Sequence, residues 1–142
     1  MNMYLTKTPL RVSLFGGGTD YPDYFLRNAG AVIGGTINKF IYTSALPLFP
    51  SSPETLRLSY RVTESVQDII DLEHPIVREW LLRNPLPGRY SISTVSDIPG
   101  GTGLGSSSAF SVGLIELVDF VKGSHRSKES LARAAINLER NI

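Results

Sequence analysis

The amino-acid sequence predicts an α+β sandwich, in which a sheet packs against helices, rather than a fold of alternating βαβ units. Three observations support this class. Segments with strand-like patterns come first, two segments with helical periodicity come late, and a glycine- and serine-rich loop joins the two groups. A chain of 142 residues is long enough for one domain that buries about 70% of the surface of its unfolded chain.

Four strands are predicted from the alternation of apolar and polar residues, or from a high content of β-branched and aromatic residues. In the first of them, Leu10, Val12 and Leu14 alternate with polar residues before a triple glycine. A stretch rich in proline and serine, residues 47–53, predicts a loop between the second strand and the third. The four predicted strands cover residues 6–15, 31–42, 57–62 and 90–98.

Three helices are predicted, each with apolar residues on one face. Pro75 suits the first turn of the first helix. The second helix begins at Ser106 and is ended by Gly123. The third is capped by Ser127 and continues to Ile142. The second helix therefore starts directly at the glycine- and serine-rich loop.

The charges of the chain are nearly balanced, with 14 Lys and Arg against 13 Asp and Glu and a net charge of +1. This balance provides no strong field for nucleic acid or for an acidic membrane surface. No apolar run approaches the length of a membrane span. The absence of cysteine excludes disulfides and thiolate zinc sites. We therefore expect a cytoplasmic protein with no nucleic-acid or membrane partner.

The loop from Pro99 to Ala109 has the outline of a phosphate-binding site. Its glycines allow backbone amides to approach phosphate oxygens, and the free amides and dipole of a helix N-terminus favour negative charge. The serines that begin the helix can cap it, or can reach a magnesium ion that bridges two phosphates. The alternative is a structural connection that serine caps.

Three other glycine motifs do not fit this loop. A Walker A loop requires a lysine after its last glycine, and none is present here. The dinucleotide fingerprint would need glycine or alanine in place of Ser106, and the hydrolase elbow would need glycine in place of Ala109. The general phosphate-binding outline is therefore favoured over these motifs.

A second group of polar residues lies near the N-terminus, where a strand delivers Arg11 and a glycine turn exposes Asp20. A carboxylate on such a turn can accept hydrogen bonds from sugar hydroxyls, and a nearby guanidinium can stabilise the charge of a phosphoryl group during its transfer. The alternative is a strand and a turn, followed by an aspartate that caps a helix.

These two segments together resemble a known family. The string from Pro99 to Ser107, Pro-x-x-x-Gly-Leu-Gly-Ser-Ser, matches the phosphate-binding motif of the galactokinase, homoserine kinase, mevalonate kinase and phosphomevalonate kinase (GHMP) superfamily. The segment from Arg11 to Tyr21 resembles the Arg-Val-x-Leu-x-Gly-x-x-Thr-Asp-Tyr segment of its sugar kinases. Galactokinases have Glu and His where this chain has two glycines, so galactose is disfavoured. The triple glycine is most similar to that of D-glycero-D-manno-heptose 7-phosphate kinases, and fucokinases have a similar turn.

The resemblance implies a fold and a reaction. The fold would be that of domain 2 of ribosomal protein S5, with residues 1–142 as a truncated N-terminal, ATP-binding domain that lacks its C-terminal domain. ATP and Mg²⁺ would be the cofactors, and the γ-phosphate would pass to the anomeric hydroxyl of D-glycero-D-manno-heptose 7-phosphate. The catalytic base of the family would follow residue 142, so we expect this fragment to be inactive alone. The alternatives are a kinase of another sugar, such as fucose, and a non-catalytic nucleotide- or RNA-binding module.

The resemblance also implies roles for individual residues. Ser107 and Glu139 would ligate Mg²⁺, with Ser106 and Ser108 as near alternatives for the serine and a solvated helix position as the alternative for Glu139. Arg11 and Asp20 would act in catalysis. The nucleotide phosphates would be held by Pro99, Gly100, Gly101, Thr102, Gly103, Leu104, Gly105, Ser106, Ser107 and Ser108. The sugar would be held by Gly16, Gly17, Gly18, Thr19, Asp20 and Tyr21.

Overall fold

One mixed sheet forms the framework of the computed structural model, which describes residues 2–140 and 142. Its five strands are β1 (Tyr4–Phe15), β2 (Ile33–Pro47), β3 (Leu56–Ser59), β4 (Thr63–Val66) and β5 (Tyr90–Ser96). Their order across the sheet is β1-β2-β5-β3-β4. Strands β3 and β5 run parallel, and the other neighbouring pairs are antiparallel.

Four α-helices accompany the sheet: α1 (Pro22–Phe25), α2 (Pro75–Arg83), α3 (Ser106–Val121) and α4 (Lys128–Arg140). Helix α3 packs against β1 and β2, and α4 packs against α3 and α2. A sheet covered by helices confirms the predicted α+β class. None of the helices in the described residues is both long enough and apolar enough to cross a membrane.

The helix boundaries follow the predicted signals closely. Pro75 is in the first turn of α2. Gly123, with φ of 70°, follows the end of α3 and lies in the left-handed region that glycine tolerates. The side chain of Ser127 accepts a hydrogen bond from the amide of Ser130 at 3.2 Å and so caps α4 as predicted. The prediction that this helix continues to Ile142 is wrong at Ile142 itself, which is not helical, while Asn141 lies outside the described residues.

The strand predictions were less accurate. The predicted third strand, residues 57–62, is wrong in its second half, because the chain turns there and a hairpin connects β3 to β4. The amide of Tyr60 donates to the carbonyl of Val62 at 2.9 Å within this turn. Leu14, predicted on the buried face of β1, is 65% exposed. Strand β1 has an irregularity in register between Ser13 and Phe15, which interrupts the alternation of faces there.

The core lies between the sheet and the helices. Alternate residues of β1 (Thr6, Thr8 and Leu10) are buried, as the period-2 pattern predicts. Helix α3 is the most buried helix, since its apolar residues meet the sheet on one side and α4 on the other. The fully buried apolar side chains of the core are Leu10, Leu56, Leu58, Leu72, Leu81, Ile92, Leu114, Ile115, Leu117, Val77 and Val118.

The contact between α3 and β1 is unusually close at Gly113. The side chain of Thr6 donates a hydrogen bond to the carbonyl of Gly113 at 3.0 Å. A Cβ atom on Gly113 would lie 2.8 Å from Oγ1 of Thr8 and 3.2 Å from Oγ1 of Thr6. Glycine at this position therefore sets the distance between the helix and the strand.

We predict that Gly113→Ala destabilises the protein, although alanine is the better helix former by about 1 kcal/mol. The overpacking against Thr8 and Thr6 costs about 1–3 kcal/mol and outweighs that gain. Urea denaturation followed by circular dichroism would measure the change. The double variant Gly113→Ala/Thr8→Ala should recover part of the loss, and a more stable single variant would contradict the close contact.

His74 is packed between two aromatic rings near the start of α2. Its ring centroid lies 4.8 Å from that of Tyr60 and 5.2 Å from that of Phe110. Burial lowers the pKa of His74 below its ordinary value of 6.5, although the nearby carboxylate of Glu64 and a backbone hydrogen bond oppose this effect. The folded protein therefore favours the neutral imidazole.

We predict that the free energy of unfolding falls as the pH drops below 6.5. The unfolded chain takes up a proton on His74 near its ordinary pKa of 6.5, while the folded chain does so only at lower pH, so acid favours the unfolded state. Urea midpoints at pH 7.5, 6.5 and 5.5 would measure this. His74→Phe should show a shallower decline over this range, and equal slopes for the two proteins would contradict the assignment.

Candidate functional site

The glycine- and serine-rich loop connects β5 to α3. Two hydrogen bonds between Asp97 and Phe40 fix the start of the loop. The amide of Asp97 donates to the carbonyl of Phe40 at 3.0 Å, and the carboxylate of Asp97 accepts a hydrogen bond from the amide of Phe40 at 2.9 Å. Pro99 to Gly105 form the loop, and Ser106, Ser107 and Ser108 form the first turn of α3. The predicted phosphate-binding residues therefore lie where a strand leads into a helix N-terminus.

Glycine is required by the conformation of this loop. Gly101, Gly103 and Gly105 have φ of 83°, 74° and 68°, all in the left-handed region. Gly105 occupies the N-cap position of α3, and no side chain caps the helix there. In the described part of the chain, no protein acceptor pairs with the amides from Gly103 to Ser108. These donors are available to a ligand at the positive end of the helix dipole.

The loop rests directly on β1. The amide of Arg11 donates to the carbonyl of Leu104 at 3.1 Å. A Cβ atom on Gly105 would lie 2.9 Å from Cγ of Arg11, so the side chain of Arg11 runs across this glycine. Nη1 of Arg11 donates to Oγ of Ser13 at 2.8 Å. The structure thus brings Arg11 and the loop together, although the specific contacts with Leu104 and Gly105 were not predicted from the sequence.

The end of α4 meets the start of α3 through Glu139. Oγ of Ser107 donates to Oε1 of Glu139 at 2.8 Å, and Oγ of Ser108 donates to Oε2 at 3.0 Å. Ser111, which the sequence analysis did not select, donates to Oε1 at 3.4 Å. Its position four residues after Ser107, on the same face of the helix, was the signal that could have identified it.

The oxygen atoms around Glu139 fit a small divalent cation. Mg²⁺ prefers hard oxygen ligands and is often held by one or two carboxylates together with substrate phosphates. The structure places one carboxylate and the hydroxyl of Ser107 side by side, next to the free amides of α3. Among the described residues, no Lys or Arg forms an ion pair with Glu139. The same residues contain no cluster of three or more His, Cys, Asp or Glu side chains that could hold a metal ion. A cation here would therefore need further ligands besides Ser107 and Glu139, such as water or phosphate oxygens.

The triple-glycine segment forms a turn between β1 and α1. Gly16 and Gly18 have φ of 83° and 94°, and a Cβ atom on Gly16 would overlap the carbonyl of Ala31 at 1.8 Å. The side chain of Thr19 bonds to the carbonyl of Gly16 at 2.8 Å and to that of Ala31 at 3.1 Å. Thr19 and Gly16 therefore close the turn structurally.

Asp20 is exposed on this turn, and its Oδ1 accepts a hydrogen bond from the amide of Gly18 at 3.1 Å. Within residues 2–140 and 142, no hydrogen bond or ion pair connects Asp20 to Arg11, to Glu139 or to the loop. Tyr21, at the N-cap position of α1, is also exposed. The structure thus presents the predicted sugar-binding turn to solvent without joining it to the phosphate loop.

The surroundings of this turn are apolar and exposed. The ends of β1 and β2, together with α1, present large apolar side chains to solvent there. They are Leu14, Phe15, Tyr21, Tyr24, Phe25, Leu26, Val32 and Ile33. By contrast, an apolar cavity of about 110 Å³ that includes Leu56 and Leu81 lies at the opposite end of β5, beside Tyr90. This cavity is remote from all the predicted site residues.

Known proteins are similar to this chain in sequence. The family description "GHMP kinases N terminal domain" matches residues 72–142. D-glycero-alpha-D-manno-heptose 7-phosphate kinase of Campylobacter jejuni is 31% identical over 154 aligned positions, which include 99% of this chain and 44% of that protein.

Solved structures agree on the fold. The D-glycero-D-manno-heptose 1-phosphate kinase from Bacteroides thetaiotaomicron superposes with a TM-score of 0.79 at 22% identity, over 98% of this chain and 48% of that one. Lactococcus lactis galactokinase complexed with galactose superposes with a TM-score of 0.74 at 16% identity, over 99% of this chain and 38% of that one. This chain spans less than half the length of each of these relatives. It belongs to the GHMP kinase family, and its residues 72–142 match the N-terminal domain of that family.

Proposed function

We propose that this chain is the nucleotide-binding part of an ATP-dependent sugar kinase whose acceptor is D-glycero-D-manno-heptose 7-phosphate. The observation that carries the proposal is the grouping of three features at one place. The unpaired amides of the first turn of α3, the Ser107–Glu139 pair and the side chain of Arg11 all adjoin the same glycine loop. Amides, a carboxylate and a guanidinium at one place suit a magnesium-bound triphosphate.

Each feature would have its own task in phosphoryl transfer. The amides from Gly103 to Ser108 would hold the phosphate oxygens, as donors at a helix N-terminus do for anions. Ser107 and Glu139 would hold Mg²⁺, which when bound neutralises charge on the nucleotide phosphates. Arg11, adjacent to Gly105, would stabilise the charge on the phosphoryl group as it leaves ADP for the acceptor oxygen. Catalysis would thus depend on positioning and charge neutralisation.

Asp20 would bind the acceptor. Its carboxylate would accept hydrogen bonds from sugar hydroxyls, while Gly17 and Gly18, where a Cβ atom would meet nothing within 4 Å, leave room for close approach. The present contact of Asp20 with the amide of Gly18 occupies one of its two oxygens, so the other remains for a sugar. Because Asp20 has no direct contact with the phosphate loop, the acceptor itself would span the distance between them.

The choice of a heptose phosphate is supported by the relatives. The Campylobacter jejuni protein is named a heptose 7-phosphate kinase, and the Bacteroides thetaiotaomicron structure is titled a heptose 1-phosphate kinase. The first similarity extends over 99% of this chain and therefore includes the triple-glycine turn. We infer that the anomeric hydroxyl of the 7-phosphate is the acceptor, so that the product is a 1,7-bisphosphate.

We predict that the complete gene product converts ATP and D-glycero-D-manno-heptose 7-phosphate to ADP and the 1,7-bisphosphate. The complete product is used because this chain spans less than half the length of the heptose kinases that it resembles. ADP release by a coupled assay and ³¹P NMR of the product would measure the reaction. We expect kcat/KM for the heptose phosphate to exceed that for L-fucose or D-galactose at least a hundredfold, which corresponds to about 2.7 kcal/mol. A preference for L-fucose would overturn the substrate assignment, and nucleotide binding without transfer to any sugar would overturn the activity.

We predict that Glu139→Gln lowers kcat by about a hundredfold or more, since an amide is a poorer ligand for Mg²⁺ than a carboxylate. Glu129→Gln is the matched control, because Glu129 lies in the same helix but is largely exposed and paired with Arg133 at 2.8 Å. Steady-state kinetics at saturating and limiting Mg²⁺ would compare them. Equal activity of the two variants would exclude a metal role for Glu139.

A further inference from the structure

Both carboxylate oxygens of Glu139 are held by hydroxyls of α3. Ser107 and Ser111 contact Oε1 at 2.8 and 3.4 Å, and Ser108 contacts Oε2 at 3.0 Å. Since both oxygens are engaged, the plane of the carboxylate as well as its location is set by α3. A glutamate that ends a helix is otherwise free to rotate about several side-chain bonds.

Ser111 cannot itself reach a ligand. Its exposure is 0%, whereas Ser107, one turn earlier on the same face of α3, is exposed. A nucleotide or cation that arrives from solvent would meet Ser107 first and would not contact Ser111. Any effect of the Ser111 hydroxyl on such a ligand must therefore act through Glu139.

The packing of α4 does not require this polar contact. Ala135 and Leu138, on the same helix, are 4% and 3% exposed and already fix α4 against the core. The carboxylate of Glu139 has no cationic partner among the residues that the structure describes, so its charge is met only by the dipoles of the three hydroxyls and of the N-terminus of α3. A charge that is oriented but not neutralised is suited to attract a cation.

We propose that Ser108 and Ser111 are positioning residues that hold the carboxylate of Glu139 toward Ser107, so that a divalent cation meets a preformed ligand pair. The inference rests on the proposed function for the cation, while the positioning itself concerns only this chain. Residues that orient a metal ligand through hydrogen bonds raise metal affinity because the ligand loses less freedom on binding. Ser107 would differ from its neighbours, because it alone of the three serines is exposed to solvent and its hydroxyl could contact the cation itself.

The test compares Ser111→Ala, Ser108→Ala and Ser111→Thr in the complete gene product. Mn²⁺ affinity in the presence of a non-hydrolysable ATP analogue is measured by electron paramagnetic resonance. Amide hydrogen exchange in residues 136–140 is measured without added metal. Ser130→Ala is the control, because Ser130 is in the first turn of α4, far along the helix from Glu139.

Ser111→Ala and Ser108→Ala should each weaken Mn²⁺ binding about tenfold and accelerate exchange in the last turn of α4. Ser111→Thr, which keeps the hydroxyl, should bind Mn²⁺ within about twofold of the wild type. If the added methyl group unfolds Ser111→Thr, the test relies on Ser108→Ala, because Ser108 is only half-buried. Ser130→Ala should change neither quantity.

The outcomes separate this inference from the proposed function. Faster exchange with unchanged Mn²⁺ affinity would mean that the hydroxyls merely fasten α4, and would overturn the positioning role. Unchanged exchange and affinity in both alanine variants would overturn it as well. If the wild type binds neither the nucleotide analogue nor Mn²⁺, the proposed function fails and the cation-positioning role fails with it. In that case faster exchange in the variants would still establish the contact itself.

Discussion

The close approach of α3 to β1 is the constraint on which the rest of the site depends. Gly113 lets the helix backbone meet Thr6 and Thr8 without an intervening side chain. Because the helix packs along the strand at this distance, its N-terminus lies next to Arg11. The amide of Arg11 donates a hydrogen bond to the carbonyl of Leu104. The packing at Gly113, seven residues after the start of α3, therefore sets the position of the free amides at that start. A rigid scaffold that fixes a loop in this way is typical of anion sites on strand–loop–helix units.

Much of the fold could be predicted from local signals, and the failures have physical causes. The C-terminus of α3 and the N-terminus of α4 were predicted correctly. Gly123 and Ser127 define them through conformations and hydrogen bonds that are confined to a few residues. Strand β4 was missed because its four residues are too few for a periodic pattern and its connecting turn contains no glycine, proline or asparagine. Helix α1 was not predicted as an element of its own, since a single turn has no periodicity, and the alternative that Asp20 caps a helix is wrong because Tyr21 occupies the N-cap position. The parallel pairing of β3 with β5 requires a crossover connection between the two strands, and no local sequence pattern encodes such a connection.

The candidate site was predictable to a different degree. The glycine loop and the serines could be selected because glycine conformations and a helix N-terminus are local properties, and the structure gives Gly101, Gly103 and Gly105 the expected positive φ. The proximity of Ser107 to Glu139 spans 32 residues and was expected only through the family resemblance. Ser111 was missed because a serine on the apolar face of a helix can equally pair within its own helix, although its spacing of four residues from Ser107 was a usable signal.

The apolar side chains at the ends of β1 and β2 and on α1 have a practical consequence for anyone who expresses this chain. Leu26, Phe15 and Tyr21 are 75%, 71% and 66% exposed, and Phe15 is the last residue of a twelve-residue strand at the edge of the sheet. Contiguous apolar surface next to an unpaired strand edge promotes self-association. Purified on its own, the chain is therefore expected to aggregate at high concentration, and charged substitutions at Leu26 and Phe15 are the changes that would keep it in solution.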